Sequence, residues 1–405
     1  MRKYFILLLT TLCILGAETN NKNYVLLISF DGFRDDYISW YDTPNFDQLI
    51  ANGAKASGLR PVYVSKTFPN HYAIATGMYA ENHGLISNEF YDQNRDESYC
   101  LCKPETVVDP SWYGGEPIWV TAEKQGVKTA SYYWVGSATP IAGVLPSITK
   151  TYDESVPFEA RVDSVAKWFS LPDDDKPSFI SLYFHEPDAT GHTYGPESDE
   201  TSTKVRELDN LLGYILEKMQ GTPIYEKLNI IIVSDHGMAS TGPDKTIDLS
   251  DVTELSYMTQ EGYGPYSFFY GDSKNNNKAV RALKKSPLIQ AFLKNNIPAK
   301  WHYKKNSRIK DILVVADEGY TILKNENPDP EKVSLGNHGF DNYLRSMEGV
   351  FIASGPSFKK NYQRGTLDNI HIYPLLAEIL EIRPSKNIDG KLSKASDLLQ
   401  APKKK

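Results

Sequence analysis

The chain has 405 residues, enough for one large α/β domain or two smaller ones, and its 40% hydrophobic and 23% charged content is that of a globular protein with a sizeable core. The formal charge is −7 and there is no basic stripe outside the terminal PKKK, which excludes an extended nucleic-acid groove lined with Lys and Arg. A small anionic substrate is not excluded, because bound metals can supply local positive charge.

The chain starts MRKYFILLLTTLCILGA, with two basic residues, an apolar run and small residues at Gly16 and Ala17. That is the pattern of a secretory signal peptide cut near Ala17, so residues 1–17 are expected to be removed and the mature protein exported, periplasmic or secreted. The run from Tyr4 to Ala17 is 14 residues, short of the roughly 20 that a spanning helix needs. No later run is long and apolar enough, so no stable membrane span is expected.

Next comes YVLLISF (residues 24–30), a strand pattern buried on both faces, which runs directly into Asp31. A helical pattern follows at 43–53, and then SKTFPNHYAIATG at 65–77, where Lys66, Thr67 and Pro69 stand before a short apolar helix. Thr67 has two readings. It can cap the helix, or its hydroxyl can lie at an anion-binding helix N-terminus and attack phosphorus once activated. Spacing alone does not choose between them.

After the leader only Cys100 and Cys102 remain. They are too few for a structural zinc site and are open to a Cys-x-Cys disulfide in an oxidising compartment, a structural or incidental pair. SFISLYF (178–184) and LNIIIVS (228–234) are further buried-strand patterns; the first leads into Asp188 and His192, the second into Asp235 and His236. Between them Val205, Leu208, Leu211, Leu212 and Ile215 recur at helical spacing.

Residues 257–335 read as a strand, a basic helix over 277–295, a strand at 299–305 and a strand at 311–322, an inserted subdomain. The polar loop that follows holds His338, and GVFIASG (349–355) is the last strand pattern. The alternation predicts an α/β fold with a doubly wound, mostly parallel sheet flanked by helices. The catalytic domain would comprise 18–256 and 336–400, with 257–335 inserted.

Singly, each acid or imidazole has an ordinary reading: a turn residue, a local ion pair, a hydrogen-bonded core histidine. Together, Asp31, Asp188, His192, Asp235 and His236 meet at the carboxyl ends of three strands, where ligands gather in open α/β sheets. Three carboxylates at close range repel one another unless cations intervene. Oxygen and imidazole donors without thiolate suit zinc and some other divalent metals, and two such ions about 3.5–4 Å apart can clamp the oxygens of an in-line phosphoryl transfer. His338 is the best candidate for the remaining imidazole.

The segments FDGFR, KTFPNHY, TGMYAENHGLISNEFYD, EPDATGHTYGP, VSDHGM and NHGFDN, in that order, resemble the nucleotide pyrophosphatase/phosphodiesterases of the alkaline phosphatase superfamily. The likeness runs from near Tyr24 to near Pro384 and implies an alkaline phosphatase-like fold. It implies two zinc ions: one held by Asp188, His192 and His338, the other by Asp31, Asp235 and His236, with Thr67 close to the second as nucleophile and as a metal-contacting hydroxyl. It further implies that Asn88 donates a hydrogen bond to a phosphoryl oxygen, and that Phe68 and Tyr152 stack on a nucleobase. The expected partner is a small nucleotide or other phosphodiester, and nothing sets an oligomeric state.

Relatives on the same scaffold act as phospholipase C-like choline phosphodiesterases or as phosphomonoesterases. No recognisable pair of phosphate-clamping basic residues is present here, which favours diesters. A retired, exported metal- or glycan-binding protein would be expected to have lost ligands, and all are present. A phosphonate hydrolase or phosphomutase is a further alternative; a mutase is expected in the cytosol, against the leader.

Overall fold

In the strand Tyr24–Phe30, Val25 and Leu27 enter one hydrophobic core while Leu26, Ile28 and Phe30 enter another, and all five are fully buried. This is why the run is continuously apolar. The computed structural model describes residues 22–324 and 329–401, so the expected leader and the terminal lysines lie outside the described residues.

The central sheet has eight strands, in the order Tyr362–Arg364, Gly53–Ala56, Phe351–Ser354, Leu228–Val233, Tyr24–Phe30, Phe179–Phe184, Thr129–Tyr132 and Ile148–Lys150. Tyr24–Phe30 pairs in parallel with Phe179–Phe184 on one side and Leu228–Val233 on the other. The three strands foreseen to carry site residues are therefore adjacent and point the same way. Phe351–Ser354 departs from the expected direction: it runs antiparallel to both neighbours, so the sheet is mixed though mostly parallel.

Helices cover both faces. Asp199–Gln220 buries Val205, Leu208, Leu211, Leu212 and Ile215 as the spacing predicts, and the Ser198 hydroxyl caps it by accepting from the Thr201 N–H. Its buried Asp209 accepts from the backbone N–H groups of Asn45 and Phe46, capping the neighbouring helix Pro44–Ala51. On the opposite face lie Thr67–Thr76 and Ile372–Ile379.

A second, four-stranded antiparallel sheet is ordered Met258–Glu261, Tyr266–Gly271, Ile312–Ala316 and Ile289–Leu293. Two expectations are corrected here. The basic helix ends at Leu283 instead of reaching 295, because Pro287 opposes continued helix and Ile289–Leu293 pairs with Ile312–Ala316. Residues 299–305 do not form a strand: Ala299–Trp301 is a 3-10 turn and His302 has φ +47°. Trp301 and Tyr303 are both buried with His302 exposed between them, so the burial alternates as in a strand although the backbone does not extend. Both rings pack against Tyr63, at ring-centroid distances of 4.5 and 5.1 Å. Tyr266, Phe268, Leu313 and Val315 join the core beneath the Thr67–Thr76 helix, while Phe269, Ile312 and Val314 pack with Ala279, Val280 and Leu283.

Candidate active site

Asp31 follows its strand immediately, and its N–H donates to the Phe184 carbonyl (3.0 Å). Gly32 then turns at φ +67°, and a Cβ there would meet Asp188 at 2.8 Å, so glycine is what lets the two carboxylate loops approach. Asp188 opens the helix Asp188–Tyr194, which presents His192 one turn later. Asp235 and His236 follow Leu228–Val233 with only Ser234 between. The His338 loop is pinned beside them by an antiparallel pairing of Ala239–Ser240 with Gly336–Asn337.

All six expected ligands are thus brought together. His192 Nε2 lies 3.5 Å from Asp188 Oδ2, and His338 Nε2 lies 3.5 Å from Asp188 Oδ1. His236 Nε2 lies 3.0 Å from Asp235 Oδ2 and 3.5 Å from Asp31 Oδ1. The His236 and His338 rings stack at 3.5 Å, so the two groups adjoin. Donor atoms of Asp188, His192 and His338 fall within 4.8 Å of one another, as do those of Asp31, Asp188 and His236, which makes Asp188 common to both.

Two observations test whether these residues fit metal ions. Asp31 Oδ1, Asp188 Oδ1 and Asp235 Oδ2 are buried without a hydrogen-bond donor, facing imidazole nitrogens. The Nδ1 atoms of His192, His236 and His338 lie 2.7–2.9 Å from the carbonyls of Gly336, Gly237 and Ser65. Donation from Nδ1 leaves each Nε2 lone pair facing inward, the arrangement that metal-binding histidines adopt. The bare Nε2 atoms of His192 and His338 are then 3.1 Å apart, tolerable with a cation between them. Burial, with the charges of Asp235 and Asp188, pushes the Asp31 carboxyl well above its ordinary range. Burial likewise holds the His338 imidazole well below its own range, with His236, Lys66 and His192 adding to the effect, and so keeps it neutral for ligation. The donor set fits divalent cations.

Thr67 is the first residue of the helix Thr67–Thr76, and its extended predecessor Lys66 occupies the cap position, so the cap reading of Thr67 does not hold. Asn70 fixes the approach, its side chain accepting from Val62 N–H and donating to the carbonyls of Val64 and Lys66. Thr67 Oγ1 lies 3.3 Å from His236 Nε2, at the edge of the cluster. Asn88 Oδ1 accepts from the Phe68 N–H (2.9 Å), which orients its amide beside Thr67. The half-buried Phe68 ring faces Tyr99, while Tyr152, 50% exposed, sits over Tyr133 and Tyr183. Lys66 donates to Asn337 (3.2 Å), and burial lowers its pKa to about 8, against the charges of Asp188 and Glu89.

Two residues of the site were not singled out from sequence. His71, four residues after Thr67 on the same helix face, is buried with Nε2 at 2.8 Å from Ser29 Oγ and Nδ1 at 3.0 Å from the Thr67 carbonyl. Both nitrogens are engaged, so it braces Thr67, while its Nδ1 also lies 3.4 Å from Asp235 Oδ2 and its donor atoms group with those of Asp31 and Asp235. Tyr183 donates its hydroxyl to Asp31 Oδ2 (2.7 Å). Losing such a bond to a ligating carboxylate costs roughly 10–100-fold in metal affinity or activity. Tyr183→Phe is therefore expected to weaken metal retention by that factor in a competition titration with a chelator; unchanged retention would remove this role.

Comparison with known proteins places this geometry in a wider set. Residues 25–341 match the family described as type I phosphodiesterase / nucleotide pyrophosphatase. A venom phosphodiesterase of Crotalus durissus collilineatus is 36% identical over 97% of this chain and 48% of its own length, so the chain spans about half of that relative. A bis(5'-adenosyl)-triphosphatase of Xenopus laevis is 36% identical over 96% of the chain and 84% of its own length. Among solved structures, murine ectonucleotide pyrophosphatase/phosphodiesterase 5, an inactive threonine-to-alanine variant in complex with AMP, matches with TM-score 0.88 and 33% identity over 94% of this chain and all of that one.

Proposed function

The chain belongs to the type I phosphodiesterase / nucleotide pyrophosphatase family, and on that premise we propose that it is a two-zinc hydrolase cleaving phosphodiester or pyrophosphate bonds of nucleotides and related diesters. The observation that carries this is the set of three orphaned carboxylate oxygens and three Nδ1-anchored imidazoles beside a threonine that opens a helix. One ion would be held by Asp188, His192 and His338, the other by Asp31, Asp235 and His236. Bound there, the ions supply positive charge at the attacking and leaving oxygens.

The protein's own groups do the rest. The Thr67 hydroxyl attacks phosphorus, its proton passing through solvent to the departing oxygen; the bond to that oxygen breaks and a nucleotidyl ester of Thr67 forms. Asn88, oriented by the Phe68 N–H, offers its amide to a phosphoryl oxygen as charge develops. Water then cleaves the ester, releasing a nucleoside monophosphate and restoring the hydroxyl. For a nucleoside triphosphate the other product is pyrophosphate.

The same reading keeps 257–335 as an insertion within a catalytic domain formed by 18–256 and 336–400. Export is supported by the disulfide between Cys100 and Cys102. Among the described residues no helix is long and apolar enough to cross a membrane.

Phe68 and Tyr152 are the base-stacking pair in this reading. Stacking on an aromatic side chain is worth about 1–3 kcal/mol per base, so Tyr152→Ala is expected to lower kcat/KM for p-nitrophenyl thymidine monophosphate by about tenfold or more. Its rate on p-nitrophenyl methyl phosphate, which has no base, is expected to stay near the wild-type value. Equal losses on both substrates would remove the stacking role and favour a retained ester group of another kind, such as phosphorylcholine esters provide.

A further inference from the structure

The segment Cys100-Leu101-Cys102 has no part in the chemistry above, yet it lies against it. Cys100 ends the strand Glu97–Cys100 and pairs across the hairpin with Glu89, the residue after Asn88. The bridge to Cys102 closes a turn around one residue, Leu101, whose N–H donates to the Asn88 carbonyl (3.0 Å). The Cys102 N–H turns back on Cys100 Sγ (3.1 Å), and the Thr106 hydroxyl contacts both the Cys100 N–H and its carbonyl (3.2 and 2.7 Å). Asn88 is thus gripped twice, at its side chain by the Phe68 N–H and at its backbone by the disulfide-closed turn. Both cysteines and Leu101 also line the cavity of about 680 Å³ whose wall includes Lys66 and Asn88.

Beyond the bridge, the turn is held by backbone and Thr106 hydrogen bonds and by the buried Cys100, with little side-chain packing on the two residues after it. Leu101 is 40% exposed and Cys102 is exposed, so packing does not hold them. The effect of a disulfide on the unfolded chain grows with the loop it closes, so a bridge of sequence separation 2 contributes least to global stability. Its effect is local.

We propose that the Cys100–Cys102 disulfide is a positioning element that holds Asn88 at the phosphoryl oxygen, so that breaking the bridge lowers turnover through Asn88. This rests on the role assigned to Asn88 above. The test breaks the bridge in two ways on the zinc-loaded protein. One is the double variant Cys100→Ser/Cys102→Ser, which also removes any thiolate that could bind metal. The other is treatment of the native protein with a phosphine, which with water gives two electrons and two protons to the disulfide and leaves two thiols and a phosphine oxide.

Displacing a catalytic group by about an ångström can cost about a hundredfold in rate. Either treatment is expected to lower kcat on p-nitrophenyl thymidine monophosphate by about ten- to a hundredfold, with zinc content and Tm near the untreated values. In an Asn88→Ala background, breaking the bridge is expected to have no further effect. Full kcat after the bridge is broken overturns the proposal, as does an equal further loss in the Asn88→Ala background. If Asn88→Ala itself keeps full turnover, the role of Asn88 falls and this proposal falls with it. An impaired Asn88→Ala beside a fully active bridge variant sinks the bridge alone.

Discussion

Thr67→Ala is expected to abolish hydrolysis of every phosphodiester while both zinc ions stay bound. In the proposed assignment Asp31, Asp188, His192, Asp235, His236 and His338 hold the ions, so deleting one hydroxyl at the edge of that cluster should leave the ligand set intact. What disappears is the attacking atom. Removing a catalytic nucleophile costs on the order of 10⁴–10⁶ in turnover, far more than losing any one binding contact. The fold should not register the change, because Lys66 and not Thr67 occupies the helix cap. The measurements are kcat on p-nitrophenyl thymidine monophosphate, metal content and Tm, with Thr67→Ser as a rescue that restores a hydroxyl. Full diesterase activity in Thr67→Ala would show that no covalent threonine step occurs.

Stripping the metal is the second large effect. Dialysis against a chelator is expected to reduce activity to background, and added zinc to restore it. The site gathers Asp31, Asp188 and Asp235 around three imidazoles with one oxygen of each carboxylate lacking a hydrogen-bond donor, a costly arrangement that bound cations relieve. Ligand at about a hundred times its Kd stabilises the native state by about 2.7 kcal/mol, so zinc should also raise Tm. Asp31→Ala and Asp188→Ala should imitate chelation most closely of the single ligand changes, since each of these carboxylates falls within two of the candidate donor groups. A stripped protein with undiminished activity and unchanged Tm would contradict the metal reading outright.

The parts of this site legible in the sequence are those tied to strands buried on both faces. Tyr24–Phe30, Phe179–Phe184 and Leu228–Val233 read as continuous apolar runs because each packs into two cores, and the acids at their ends stand out against that background. His338 was reached only as the imidazole the cluster lacked; the short pairing of Gly336–Asn337 with Ala239–Ser240 that places it has no local signature. Tyr183 reads as one more core aromatic within its strand. Its hydroxyl meets Asp31 because the register sets it opposite Ser29, a long-range fact. His71 was in view within KTFPNHY, but which of its nitrogens are engaged depends on Ser29 and the Thr67 carbonyl. In the second sheet tertiary pairing overrides local pattern: Ile289–Leu293 has the sequence of a helix tail and forms a strand because it pairs with Ile312–Ala316.

The most direct test of the account is a side-by-side comparison of rates on purified zinc-loaded protein with p-nitrophenyl thymidine monophosphate, p-nitrophenyl phosphate and p-nitrophenylphosphorylcholine. The expected result is a strong preference for the nucleotide ester over both others. Preference for the monoester or the choline ester would contradict the nucleotide assignment while leaving Thr67 and the metal cluster in place. No turnover of any of the three, with zinc confirmed bound, would contradict the catalytic reading as a whole.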